Sequence, residues 1–138
     1  MTLEEKQQEI IDDFEIYEDW MEKYEYLIEL GKDLPLIEEE LKTKDRLIEG
    51  CQSQVWLESQ FDGEKMRFKA DSDAIITKGI IGLLIRVLDQ EKPEDIVKSD
   101  LHFIERIGLH EHLSPTRSNG LASMVKKIKM NSLLQIKK

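Results

Sequence analysis

VWLESQFDGEKMRFKADSDAIITKGIIGLLIRVL, residues 55–88, contains the change of period that decides the fold. Two short runs, VWLESQF and MRFKA, are rich in strand-favouring residues and flank Asp62-Gly63-Glu64-Lys65. Asp-Gly between such runs is a strong local signal for a hairpin turn, so the segment reads as two antiparallel strands. The pattern then lengthens. From Ile75 to Leu88 the chain is apolar over fourteen residues, with Ser72 and Asp73 ahead of it as candidate caps. An isoleucine-rich run can be a buried strand, but this length with a cap predicts one buried helix. Gly79 and Gly82 would then let that helix pack closely against the sheet.

Upstream, Leu47-Ile48 is a candidate third short strand. Further back, Ile10, Ile11, Phe14, Tyr17, Trp20, Met21, Tyr24, Leu27 and Ile28 recur at steps of three and four, as on one face of a helix. A break near Ile16 would divide this stripe into two helices, with Gly31 as the stop and Pro35 beyond it. Downstream, Pro93-Glu94-Asp95 suits the first turn of a short helix, where proline is tolerated and acids meet the positive end of the dipole. A second short helix is expected over residues 102–107. Ser114-Pro115 opens a longer one, with Leu121, Met124, Val125, Ile128 and Leu133 on one face and lysines 126, 127, 129, 137 and 138 toward its end. The fold class is therefore α+β: a small antiparallel sheet of two to three strands packed with helices, in one domain over residues 1–138.

Composition narrows the function. The chain is 40% hydrophobic and 36% charged, and its net charge of −9 is uneven. Residues 1–40 hold 15 acids and 3 lysines, whereas residues 41–138 hold 14 acids and 17 bases. A broad acidic face repels phosphate backbones, so nucleic acid is not an expected partner. No apolar run reaches the roughly 18–20 residues that span a bilayer, so no membrane is expected either. The opening MTLEEKQQEI lacks the basic-then-apolar order of a secretory signal. A single cysteine cannot form an internal disulfide, and a reducing cytoplasm is the natural compartment. His102, His110 and His112 show no zinc-ligand spacing, and no glycine-rich phosphate loop precedes a helix. Neither a metal nor a cofactor is expected.

That cysteine is the chemically distinctive residue. Cys51 lies outside any periodic apolar segment, in IEGCQSQVWL. Gly50 permits a tight or positive-φ backbone, and Gln52 and Ser53 are hydrogen-bonding neighbours. A lone cysteine is more often incidental than nucleophilic. With no second thiol, an intramolecular disulfide cycle is impossible; one thiol unaided can accept a sulfur atom and give it away. Arg117 opens the last helix, where its charge opposes the dipole, followed by the poor helix formers Ser118, Asn119 and Gly120. It is either a surface arginine or a bridge to a carboxylate or to the cysteine loop.

Three blocks, GCQSQVWL at 50–57, DSDAIITKGIIGLL at 71–84 and SPTRSNGLASM at 114–124, together resemble the SufE family, in order and spacing. These are sulfur-accepting partners of SufS-type cysteine desulfurases in iron–sulfur cluster assembly. The resemblance implies a fold like that of the scaffold protein IscU, with the cysteine at a loop tip tucked against apolar surface. It implies that Cys51 takes persulfide sulfur from a desulfurase that uses pyridoxal phosphate, speeding its turnover, and passes the sulfur to a SufB-like scaffold. Asp71 to Asp73 match a part of the family implicated in docking, and Arg117 and Asn119 match a turn expected to support the site. The family often has Asn-Arg-Val ahead of Gly-Cys; here Arg46 is kept. Glu49 departs, and its charge beside the thiol should disfavour thiolate. Two other readings stand beside this one: a cysteine-nucleophile hydrolase or transferase using Cys51 with His110 or His112, and a non-catalytic module whose acidic helices bind a basic partner.

Overall fold

A computed structural model describes residues 1–136. Helix α1, Leu3–Ile16, begins at a capping box: the Thr2 side chain accepts from the Glu5 backbone, and the Glu5 carboxylate accepts from the Thr2 backbone. It ends at Ile16, where the periodicity places the break, and α2 follows as Trp20–Lys32 with Asp19 capping its first turn. The stripe is only partly core. Ile10, Ile11, Phe14 and Leu27 are buried, but Met21 is 74% exposed. The helix ends at Lys32, one residue past the stop expected at Gly31. Gly31 itself lies inside α2, buried, facing Gly79.

The hairpin forms as the turn chemistry predicts. Strand β1, Val55–Phe61, pairs antiparallel with β2, Met66–Ser72, with Leu57 opposite Ala70 and Ser59 opposite Phe68. The Asp62 carboxylate accepts from the backbones of Glu64 and Lys65, and Gly63 takes φ +97°. Val55 and Leu57 in β1 and Met66, Phe68 and Ala70 in β2 are buried on one face. The third strand is a single bridge, Leu47 to Trp56, because the chain turns away into the cysteine loop after one residue pair. A second lone bridge joins Leu36 to Ala70, so the sheet itself has two strands.

Helix α3, Ile75–Leu88, is the one buried helix expected, with ten of its residues buried. Each fully buried Ile or Leu side chain contributes about 1.5–3 kcal/mol, which makes this helix the centre of the fold. Two details differ from expectation. Its N-cap is Ala74, and the Ser72 and Asp73 side chains do not cap it: Ser72 accepts from Ala74, and Asp73 accepts from Gln54. Gly79 and Gly82 do not face the sheet. A side chain at Gly79 would meet the Leu27 carbonyl, and one at Gly82 would come within 3.0 Å of the Leu30 carbonyl, so both let α3 lie backbone to backbone on α2.

Helices α4 (Pro93–Lys98), α5 (Phe103–Arg106) and α6 (Leu109–His112) form a short connected run, the first two where the sequence places them. Helix α7, Pro115–Ile136, closes the core with Leu121, Met124 and Ile128. Leu133 is 38% exposed, and the buried face at that level is taken by Ser132, whose hydroxyl donates to the Ile128 carbonyl. Lys137 and Lys138 lie outside the described residues. No described helix is long and apolar enough to cross a membrane.

Candidate functional site: a sheltered loop thiol

The loop that presents Cys51 is closed at both ends by backbone pairing. On entry, Ile48 donates to the Val55 carbonyl at 2.8 Å. On exit, Gln54 donates to the Asp73 carboxylate at 3.1 Å, and Asp73 donates back to the Gln54 carbonyl at 3.3 Å. Residues 49–53 thus make a short excursion from the edge of the sheet. Gly50 adopts φ +93°, and a side chain there would collide with the Ser123 hydroxyl on α7. Both constraints favour glycine, and they set Cys51 against the helix.

Cys51 is half-buried. Its thiol donates to the Gly120 carbonyl at 3.6 Å, and a methyl group added at Gly120 would sit 3.5 Å from the sulfur. The sulfur therefore rests on bare helix backbone. Beside it lies a cavity of about 360 Å³. Thr77 and Ile80 of α3 line it together with Ser114 and, from α7, Thr116, Arg117, Gly120 and Met124. Burial pushes the thiol pKa above its ordinary value. Glu49 is not the cause: it faces a separate groove with Lys126 and Lys127. The resting group is a protonated thiol in a partly apolar shelter, which slows oxidants and electrophiles alike.

The other residues singled out from sequence fall in three places. Gln52, Ser53 and Arg117 line the thiol cavity. Arg117 is exposed and, among the described residues, its side chain makes neither an ion pair nor a hydrogen bond to the cysteine loop, so it is a surface arginine at the edge of the cavity rather than a bridge. Its backbone donates to the Ser114 hydroxyl. Asn119 is exposed outside the cavity lining. Asp73 ties the loop exit to the end of β2, while Asp71 sits in an ion cluster, 2.8 Å from Lys42 and 3.3 Å from Lys78. Burial alone would raise the Asp71 carboxyl; hydrogen bonds from Lys42, the Ser72 backbone and Lys78 outweigh it and hold the pKa below the usual value. Arg46 binds Glu58 at 3.1 Å and Thr43 at 3.0 Å, fastening the 3₁₀ turn at Lys44–Arg46 to β1 ahead of the loop.

Neither histidine reaches the thiol cavity. His112 stacks on Trp20 at 4.0 Å between ring centres, with Nδ1 3.1 Å from the Gly108 carbonyl. His110 lines a different cavity, formed by α5, α6 and α7. No described group of three or more His, Cys, Asp or Glu could hold a metal ion. Sequence reasoning missed the shelter itself: Gly120, Ser123, Thr77 and Met124. Gly120 and Ser123 were visible as small residues three apart in a helix, but nothing local says what they face.

A small α+β domain with one thiol on a clamped loop, resting on the backbone of its last helix, is the class that fold and site define together. The model of the SufE family, the Fe–S metabolism associated domain, matches residues 8–132, and the chain belongs to that family. It is 39% identical over 126 residues to an uncharacterized SufE-like protein of Rhizobium meliloti, covering 88% of this chain and 90% of the other. A second uncharacterized SufE-like protein, from Rhizobium etli, is 42% identical over 126 residues, covering 88% and 85%. The solution structure of a hypothetical protein from Thermus thermophilus superposes with a TM-score of 0.80 at 20% identity, covering 96% of this chain and 97% of that one, a likeness of fold alone.

Proposed function

We propose that this protein is a sulfur acceptor and activator for a SufS-type cysteine desulfurase, carrying sulfur as a persulfide on Cys51. The observation that carries this reading is the chemical isolation of the thiol. Among the described residues its one polar partner is a carbonyl and no histidine lines its cavity, and burial raises its pKa. A group so placed is poorly equipped for hydrolysis, which needs a base beside the nucleophile. Sulfur exchange needs the thiolate too, but the departing donor thiolate can take up its proton.

The step follows thiol–disulfide exchange. The Cys51 sulfur attacks the outer sulfur of the donor's persulfide. The donor's sulfur–sulfur bond breaks as a new one forms to Cys51, and the Cys51 proton passes to the departing donor thiolate. No net oxidation occurs, so this chain needs no cofactor; the donor supplies pyridoxal phosphate chemistry. A SufB-like scaffold then takes the outer sulfur by the same exchange. The cavity beside Cys51, about 360 Å³, leaves room to shelter one extra sulfur atom between the two encounters.

Mass spectrometry after incubation with a cysteine desulfurase and free cysteine tests the reading. Wild type should gain one sulfur atom, ~32 Da, lost on adding a thiol reductant, and C51S should gain none. Equal stimulation of the desulfurase by both proteins, with neither labelled, overturns it.

A further inference from the structure

Helix α7 stands apart electrically. It carries Arg117, Lys126, Lys127 and Lys129 and no acid, four positive charges in a chain of net −9. Arg117 faces the thiol cavity, and Lys129 donates to the Ser99 carbonyl. Lys126 and Lys127, together with Lys44, rim a separate groove of about 350 Å³ floored by Leu47, Ile48 and Met130. None of these three lysines forms an ion pair among the described residues; Lys23, Lys65, Lys92, Lys98 and Lys129 form none either, and what sets these three apart is that they line one groove together. Two acids share the rim. Asp45 is engaged by Thr43 and Arg46, which leaves Glu49 against three lysines.

Two exposed apolar side chains, Met130 and Leu134, continue from the groove along the helix. Ser123, Lys126, Lys127, Met130 and Leu134 fall on one stripe at steps of three and four. Met130 is 46% and Leu134 54% exposed. A basic rim beside two exposed apolar side chains is complementary to an amphipathic segment of opposite charge. The groove has no lining residue in common with the thiol shelter, but the loop joins the two. Ile48 and Glu49 lead directly into Gly50, and Ser123, which lines the groove, is the side chain against which Gly50 packs.

We propose that this groove docks an acidic, apolar-bearing segment of the sulfur-donating desulfurase, and that its occupation is felt by the Cys51 loop through Ser123 and Gly50. The inference rests on the sulfur-acceptor reading and adds the chemistry of the contact. The donor, not the scaffold, is the occupant, because the groove belongs here to the protein with a free Cys51 thiol, the form that meets the donor, whereas the scaffold meets the persulfide form. The shelter must open at that encounter, and the groove lies on the other side of the Gly50–Ser123 contact.

Titration calorimetry with the purified desulfurase, at low and at physiological salt, is the test, run alongside sulfur labelling of wild type. K126E/K127E should weaken binding at least tenfold and flatten its salt dependence. M130N should weaken it severalfold with the salt dependence kept. K65E/K92E, with the same net charge and exposed positions elsewhere, should bind within twofold of wild type. If K126E/K127E melts early, K126Q/K127Q replaces it with the same expected direction. Labelled wild type with all variants binding equally overturns the groove and leaves the sulfur-acceptor reading intact. Loss of scaffold binding instead of desulfurase binding overturns the stated occupant. If wild type neither binds nor is labelled, the functional reading itself falls, and the groove with it.

Discussion

Two seams of this protein are made by glycines, and they serve opposite ends. Between α2 and α3, Gly31, Gly79 and Gly82 bring two helix backbones together, with the Leu27 and Leu30 carbonyls against the opposing glycines. Between the cysteine loop and α7, Gly50 meets one hydroxyl and Gly120 meets one sulfur. The first seam is broad, regular and buried, so parting it exposes the centre of the core. The second is a single turn of exposed loop held by a few hydrogen bonds and one close approach. Removing a Cβ gives permanence where backbone meets backbone along a helix, and a releasable contact where a loop rests on one residue. Stability is accordingly uneven across the molecule, and the loop belongs to its low end.

Substitution at the helix seam should do the most damage. G79A places a methyl group against backbone that has no freedom to yield, and is expected to cost roughly 3 kcal/mol, the upper part of the overpacking range, read by urea denaturation. A cost below the roughly 0.5 kcal/mol of an ordinary surface change would mean that the seam is soft and the comparison false.

At the loop seam the cost moves from stability to reactivity. G50A forces a non-glycine residue to φ +93° and into Ser123. The loop should lift, at about 1 kcal/mol of stability, and Cys51 should react with iodoacetamide severalfold faster. Pairing G50A with S123G should restore part of the slow reaction, because the collision is relieved while the backbone strain remains. The pH profile sharpens the point. Burial raises the resting thiol pKa, so wild-type alkylation should reach half its maximal rate above the ~8.5 of a free cysteine, and G50A should move that midpoint down toward it. Identical profiles would show that the shelter does not control the thiol.

Asp71 gives a smaller, pH-coded effect. D71N leaves Lys42 and Lys78 without their shared carboxylate and should cost about 1 kcal/mol at neutral pH. Native pairing holds this carboxyl below its unfolded value, so the stabilisation is complete above about pH 4 and is lost as the pH falls through the native pKa. Wild type and D71N should therefore converge in acid in thermal melts. A gap that persists at low pH would assign the cost to packing instead. The smallest effect is expected at the second loop contact. G120A meets Cys51 at an ordinary packing distance and replaces a helical glycine, so stability should hold or rise by up to about 1 kcal/mol. It also narrows the space beside the sulfur, and a persulfide on Cys51 should then be reduced faster.

Local chemistry alone determined the hairpin, its turn, the buried third helix, the break near Ile16 and the one thiol worth watching. Each follows from short-range spacing or from residue type: a period of two or of 3.6, an Asp-Gly turn, a proline at a first helical position, a cysteine among polar residues after a glycine. What the glycines face was decided only by the tertiary structure. Gly31 reads locally as a stop, and Gly79 and Gly82 read as room for a sheet; all three prove to be one interhelical seam. Ser72 and Asp73 likewise read as caps, and Asp73 instead clamps the exit of the loop. The shelter of Cys51 is drawn from α3, α7 and the loop, more than twenty residues apart in sequence, so no window of the chain contains it. A spacing rule reports which face of its own element a residue occupies. Which other element lies across from that face depends on how all the elements pack at once, and in this protein that packing buries half of its single thiol and raises its pKa.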